Sequence, residues 1–170
     1  MILQEGMLKL DFSGVKNALR FDEQDRLSPN FHGLSHCMKA VDFIVEYPDH
    51  YLFVEIKNPR DPSRYSTDKD INDLVDDLLV KFRDTFLYRW AEGKQNKPVY
   101  YQCLIELDNA QTLHIMNKLK YKLPFKGQPS NWQKPLAYKC TVANTETWNK
   151  IFSNMQVTKV KETALNEFKV

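Results

Sequence analysis

The sequence predicts a single mixed α/β domain, with strands and helices sharing one sheet. Three observations carry that expectation. Two runs rich in β-branched and aromatic residues, Ala40–Tyr47 (AVDFIVEY) and Tyr51–Lys57 (YLFVEIK), flank Pro48-Asp49-His50 as the arms of a hairpin. A long helical stripe over 67–92 follows, and strand and helix signals then alternate to the end of the chain. Finally, 170 residues with no internal repeat or low-complexity tract make one domain, 1–170.

The elements follow in order. Met7–Phe12 alternates weakly and reads as a strand, and Val15, Ala18 and Leu19 are spaced for a short helix ahead of the polar stretch Asp22–Asp25. Ser-Pro-Asn and His-Gly steps make Leu27–Gly33 a loop. In the hairpin, Pro48 with φ near about −65° disfavours the two-residue turns, so a four-residue turn is expected. Asn58-Pro59-Arg60-Asp61-Pro62 ends the second arm, because proline cannot donate to a ladder. Thr67 and Asp70 form a capping box that opens the helix of 67–92. Its stripe is Ile71, Leu74, Val75, Leu78, Leu79, Phe82 and Phe86, and Gly93 is its stop. A strand over Val99–Leu107, a helix over Ala110–Tyr121, a strand over Leu136–Val142, a helix over Thr145–Phe152 and a strand over Val157–Val160 complete the chain.

Composition narrows the function classes. The longest uncharged apolar runs, such as Phe43-Ile44-Val45, fall far short of the ~20 residues a membrane span needs. No basic start leads into an apolar core, so no secretory signal and no membrane partner are expected. Cys37, Cys103 and Cys140 are odd in number and lack CxxC spacing, which points to a reduced, cytoplasmic protein. The net charge of +2 is too small to name a polyanionic partner. Neither a glycine-rich phosphate loop nor a GxSxG motif is present.

The chemistry concentrates in the hairpin. A two- or four-residue turn sets Asp42 across from Glu55, Ile44 across from Phe53 and Ala40 across from Lys57. Side chains alternate faces, so Asp42, Glu55 and Lys57 share one face. Val41, Phe43, Val45, Leu52, Val54 and Ile56 share the other, a wholly apolar core face. Two carboxylates opposite each other in a ladder repel. They are, however, what a hard divalent cation takes as ligands, and such a cation activates water and neutralises a phosphoryl group.

At these residues the chain resembles the PD-(D/E)XK nuclease superfamily, with its restriction-endonuclease-like fold. The matching positions are Asp42 on AVDFIVEY and Glu55-Ile56-Lys57 on YLFVEIK. Two other Glu-x-Lys triplets, at Glu92 and Glu167, lack the apolar strand context. The resemblance implies an αβββαβ core over about residues 1–110, with 111–170 as a C-terminal α/β extension. It implies Asp42 and Glu55 as ligands of Mg²⁺ or Mn²⁺, the Ile56 carbonyl as a further ligand, and Lys57 as the catalytic lysine. Phosphodiester hydrolysis in DNA or RNA is the implied activity, with nucleic acid as the partner and DNA expected ahead of RNA. The other expectation is a catalytically silent member of the same fold, serving as a nucleic-acid-binding or assembly module. A homodimer is compatible with either.

Accessory candidates are fewer in support. The family often carries a glutamate on its first helix; here Glu23 is the sole candidate, and it falls after the short helix. His36 would reach the face of Asp42, while His32, His36 and Cys37 fall short of the four ligands of structural zinc. Lys81, three positions after Leu78, borders the buried stripe and would supply a cation; the plainer expectation is a solvated lysine. Between Gln111 and Thr141, lysines 118, 120, 122, 126, 134 and 139 occur without an acidic residue. Tyr121, Phe125, Trp132 and Tyr138 are interleaved with them, the composition of a nucleic-acid groove. Lys118, Lys120, Lys122, Lys126, Lys134 and Trp132 are the candidate contacts, against the alternative of a solvated helix face and a packed loop.

Overall fold

The computed structural model describes residues 1–59, 61–125 and 131–160. A central five-stranded sheet is built from β3 (Asn17–Arg20), β4 (Phe43–Glu46), β5 (Tyr51–Lys57), β6 (Val99–Ile105) and β7 (Lys139–Ala143), in that spatial order. The first three strands are antiparallel, and β5, β6 and β7 run parallel. Parallel neighbours need crossover connections, and α1 (Asp68–Ala91) and α2 (Asn109–Lys122) supply them.

Both helices cover one face of the sheet. Ile71, Leu74, Val75, Leu78 and Phe82 of α1 pack with Ile115 and Leu119 of α2 against Ile44, Phe53, Tyr101 and Cys103. The opposite face carries a second sheet, β1 (Ile2–Glu5), β2 (Leu8–Phe12) and β8 (Met155–Lys159), together with α3 (Thr145–Ile151). There Leu8, Leu10 and Phe12 meet Phe43, Leu52, Val54 and the fully buried Trp148. The central sheet is therefore covered on both sides, which is why β5 is apolar at nearly every position.

Two expectations are corrected. The stretch holding Val15, Ala18 and Leu19 is no helix; it leads into and forms β3. Val15 and Ala18 pack on the Phe43 side of the sheet and Leu19 on the other. Residues sent to opposite faces need the two-residue period of a strand, and a five-residue helix would not nucleate alone. The order β3-β4-β5-α1-β6 thus lacks a leading helix. Val41 also changes sides: it sits in the helix-side cluster, because the regular alternation begins only at Phe43. One strand went unread, β1, which a turn at Gly6-Met7 folds onto β2, with Gly6 at φ 55°.

Candidate active site

The hairpin has the expected register. Phe43 pairs with Val54, Ile44 with Phe53, Val45 with Leu52 and Glu46 with Tyr51, around the turn Tyr47–His50. The next bonded pair in that ladder would join Val41 to Ile56. Instead the Val41 amide donates to Thr85 Oγ1 of α1 at 3.1 Å, and the chain leaves β5. Asp42 fills the gap, its Oδ2 accepting the Ile56 amide at 2.6 Å. The carboxylate has replaced a backbone acceptor, and the Ile56 carbonyl, on the same side of β5 as its amide, faces the same opening.

Glu55 is 0% exposed and Asp42 9%. Lys57 Nζ lies 3.1 Å from Glu55 Oε1. From the helix side, Lys81 Nζ reaches Glu55 Oε1 at 2.7 Å and stands 3.9 Å from Asp42 Oδ1. It donates to Glu55 Oε2 at 2.9 Å. Lys57 extends also to Asp77 Oδ2 of α1 at 3.3 Å, and Lys39 pairs with the other oxygen of Asp77. Glu55 Oε1, although close to both ammonium groups, has no hydrogen bond of good geometry.

Burial dominates the electrostatics. It pushes the Asp42 carboxyl up to about 7, helped by the Glu55 charge and opposed by Lys81 and the Ile56 amide. Burial likewise raises Glu55, against the pull of Lys81 and Lys57. Burial opposes the charge on Lys57, but Glu55 and Asp77 outweigh it, so its pKa rises above that of a free lysine. Asp77 is also desolvated, yet Lys39 and Lys57 hold it below the ordinary carboxylate range. Lys57 is therefore a firmly charged donor and not a proton acceptor.

The other candidates lie elsewhere. Glu23 Oε1 accepts the Asp25 amide in a local turn. His36 is exposed in the loop before β4. His32 packs its ring against Phe21 and Tyr88, and no zinc-like cluster forms among the described residues. Lys118 bonds Asn72 and Asp68 of α1, and Lys122 pairs with Asp76. Lys120 lines an open hollow of about 440 Å³ with Phe125, Tyr138, Lys139, Cys140 and Thr141. Lys134 reaches the Gln95 carbonyl at 3.4 Å, and Trp132 is 43% exposed. Lys126 lies outside the described residues. The lysines of 111–141 are thus divided, two of them bound to acids of α1.

Lys81 is at the site and not solvated, correcting the plainer expectation. Asp77, Lys39 and Thr85 were not singled out in the sequence. Asp77 and Lys81 are four apart on α1 beside Leu74 and Leu78, so an i, i+4 acid–lysine pair bordering the stripe was the available signal.

The donor set is two carboxylates and a backbone carbonyl, all hard oxygens, with Lys81 and Lys57 pairing with Glu55. These oxygens fit a hard divalent cation. No group of three or more His, Cys, Asp or Glu side chains converges among the described residues, so a cation held there would need water or substrate oxygens besides. Comparisons of the chain with family models, with curated proteins and with solved structures found no match.

Proposed function

We propose that this protein is a metal-dependent nuclease of the PD-(D/E)XK kind, hydrolysing phosphodiester bonds of DNA or RNA. One observation carries the reading: Asp42 and Glu55, from two strands, are buried together beside Lys57, in an arrangement costly for folding alone. Desolvating several charges costs more than their pairing usually returns, and such clusters concentrate at functional sites. The β3-β4-β5-α1-β6 order supports the family resemblance, and the missing leading helix and helix glutamate are departures from it.

Asp42 Oδ1, Glu55 and the Ile56 carbonyl would hold Mg²⁺ or Mn²⁺. When bound, such a cation polarises a phosphoryl oxygen and acidifies water. Lys57, held in its charged form, donates hydrogen bonds to the attacking water or to the phosphoryl oxygens as negative charge develops there. Three free cysteines, and no described helix long and apolar enough to cross a membrane, are compatible with work in the cytoplasm.

Lys81 favours a second reading. Its ammonium stands where it neutralises both carboxylates, so a cation must displace it, and a silent nucleic-acid-binding module would keep it in place. Calorimetric titration with Mn²⁺ separates the two. The nuclease reading expects saturable binding that Glu55→Gln abolishes; absence of binding to the wild-type chain supports the silent module.

A further inference from the structure

Resting on that reading of the site, we propose that Asp77 is a positioning residue for Lys57, a carboxylate on α1 that holds the lysine against Glu55. The geometry has three parts. Lys57 Nζ lies between Glu55 Oε1 at 3.1 Å and Asp77 Oδ2 at 3.3 Å, bridging strand to helix. Glu55 shares that oxygen with Lys81, whose Nζ is closer at 2.7 Å, so Asp77 is the acid that Lys81 does not contest. Asp77 is in turn fixed from its other oxygen by Lys39, whose own backbone amide donates to Asp84 Oδ2 at 3.0 Å.

Those bonds make one connected device. The segment Lys39–Val41, which delivers Asp42, is tied to α1 at Asp77, Asp84 and Thr85. The same Asp77 sets the tip of Lys57. A lysine on four rotatable carbons, with 27% of its side chain exposed, would otherwise sample solvent. Asp77 thus couples the placement of the acid before β4 to the placement of the lysine at the end of β5. It touches neither substrate nor metal in this role.

The test uses the full chain and two readouts, one independent of activity. Competitive acylation with acetic anhydride, read residue by residue by mass spectrometry, reports how freely Lys57 is available. Loss of one charge-assisted bond in Asp77→Asn should raise labelling of Lys57 roughly tenfold, with Lys81 and Lys150 unchanged and Asp77→Glu restoring protection. Unchanged Lys57 labelling in Asp77→Asn overturns the proposal. In the cleavage assay, Asp77→Asn should lower kcat about tenfold with KM nearly constant. Glu146→Gln, a charge loss on α3 remote from the site, should do neither. A loss confined to KM would overturn a role through Lys57 and make Asp77 part of the binding surface. Wild-type protein without cleavage would sink the nuclease reading alone, since labelling still decides the role of Asp77.

Discussion

Asp42 gives Oδ2 to the Ile56 amide, leaving Oδ1 facing Lys81 and the Glu55 carboxylate. Its carboxyl, pushed up to about 7 by burial and by Glu55, is easier to protonate in the folded chain than in the unfolded one. The native state therefore binds the extra proton between about pH 4 and 7, and this group's contribution to stability falls as pH rises through that window. Asparagine keeps an oxygen for the Ile56 amide and removes the charge. Without divalent metal, Asp42→Asn should stabilise the fold at pH 8 by roughly 1–4 kcal/mol, and the gain should fade toward pH 4. Denaturant melts at the two pH values check this; destabilisation of equal size at both would contradict it. The register of Ile44 opposite Phe53 was legible because strand alternation and turn length are local properties, but the ladder stops at Phe43, so the expected pairs of Asp42 with Glu55 and Ala40 with Lys57 do not form. The bond to Ile56 was not legible, since it exists only because Val41 leaves the ladder for Thr85.

At the scale of elements, α1 organises the site. Its limits were readable from Thr67, Asp70 and Gly93, and the capping box forms as expected, with Thr67 Oγ1 accepting the Asp70 amide at 3.2 Å. The polar residues it sends toward the sheet were not, because they depend on how the helix crosses β5. Lys81 meets Glu55 and Asp77 meets Lys57 through contacts separated by more than a turn of sequence in either element. Thr85 illustrates the dependence. Its hydroxyl is fully buried and takes the Val41 amide, so Thr85→Val leaves a buried donor unpaired. That change should cost about 1–3 kcal/mol in a urea melt and weaken Mn²⁺ binding through the displaced Asp42. Lost stability with Mn²⁺ affinity unaltered would show that α1 does not position Asp42. β3 teaches the converse: Val15, Ala18 and Leu19 have helical spacing, and they form a strand because β4 offers an edge to join.

Across the whole molecule, the two faces of the central sheet divide the labour. The helix face carries the acids and lysines, while the other is an apolar layer closed by β1, β2, β8 and α3. Residues after 110 therefore complete the same core that supports β4 and β5, since Trp148 and Val157 pack with Phe43 and Val54. The indole of Trp148 also donates to the Met155 carbonyl at 2.8 Å. Trp148→Ala should destabilise the protein by about 3–5 kcal/mol in one cooperative transition. Two separate transitions in thermal melts would mean that the part after residue 110 folds on its own.

The decisive experiment is a cleavage assay on single- and double-stranded DNA and RNA, run with Mg²⁺, with Mn²⁺ and with EDTA, and with Lys57→Ala in parallel. Cleavage of DNA or RNA that requires the metal and disappears in Lys57→Ala, while that variant still binds Mn²⁺, is the expected result. Cleavage that survives the substitution, or no cleavage under any metal, would contradict a nuclease centred on Asp42, Glu55 and Lys57.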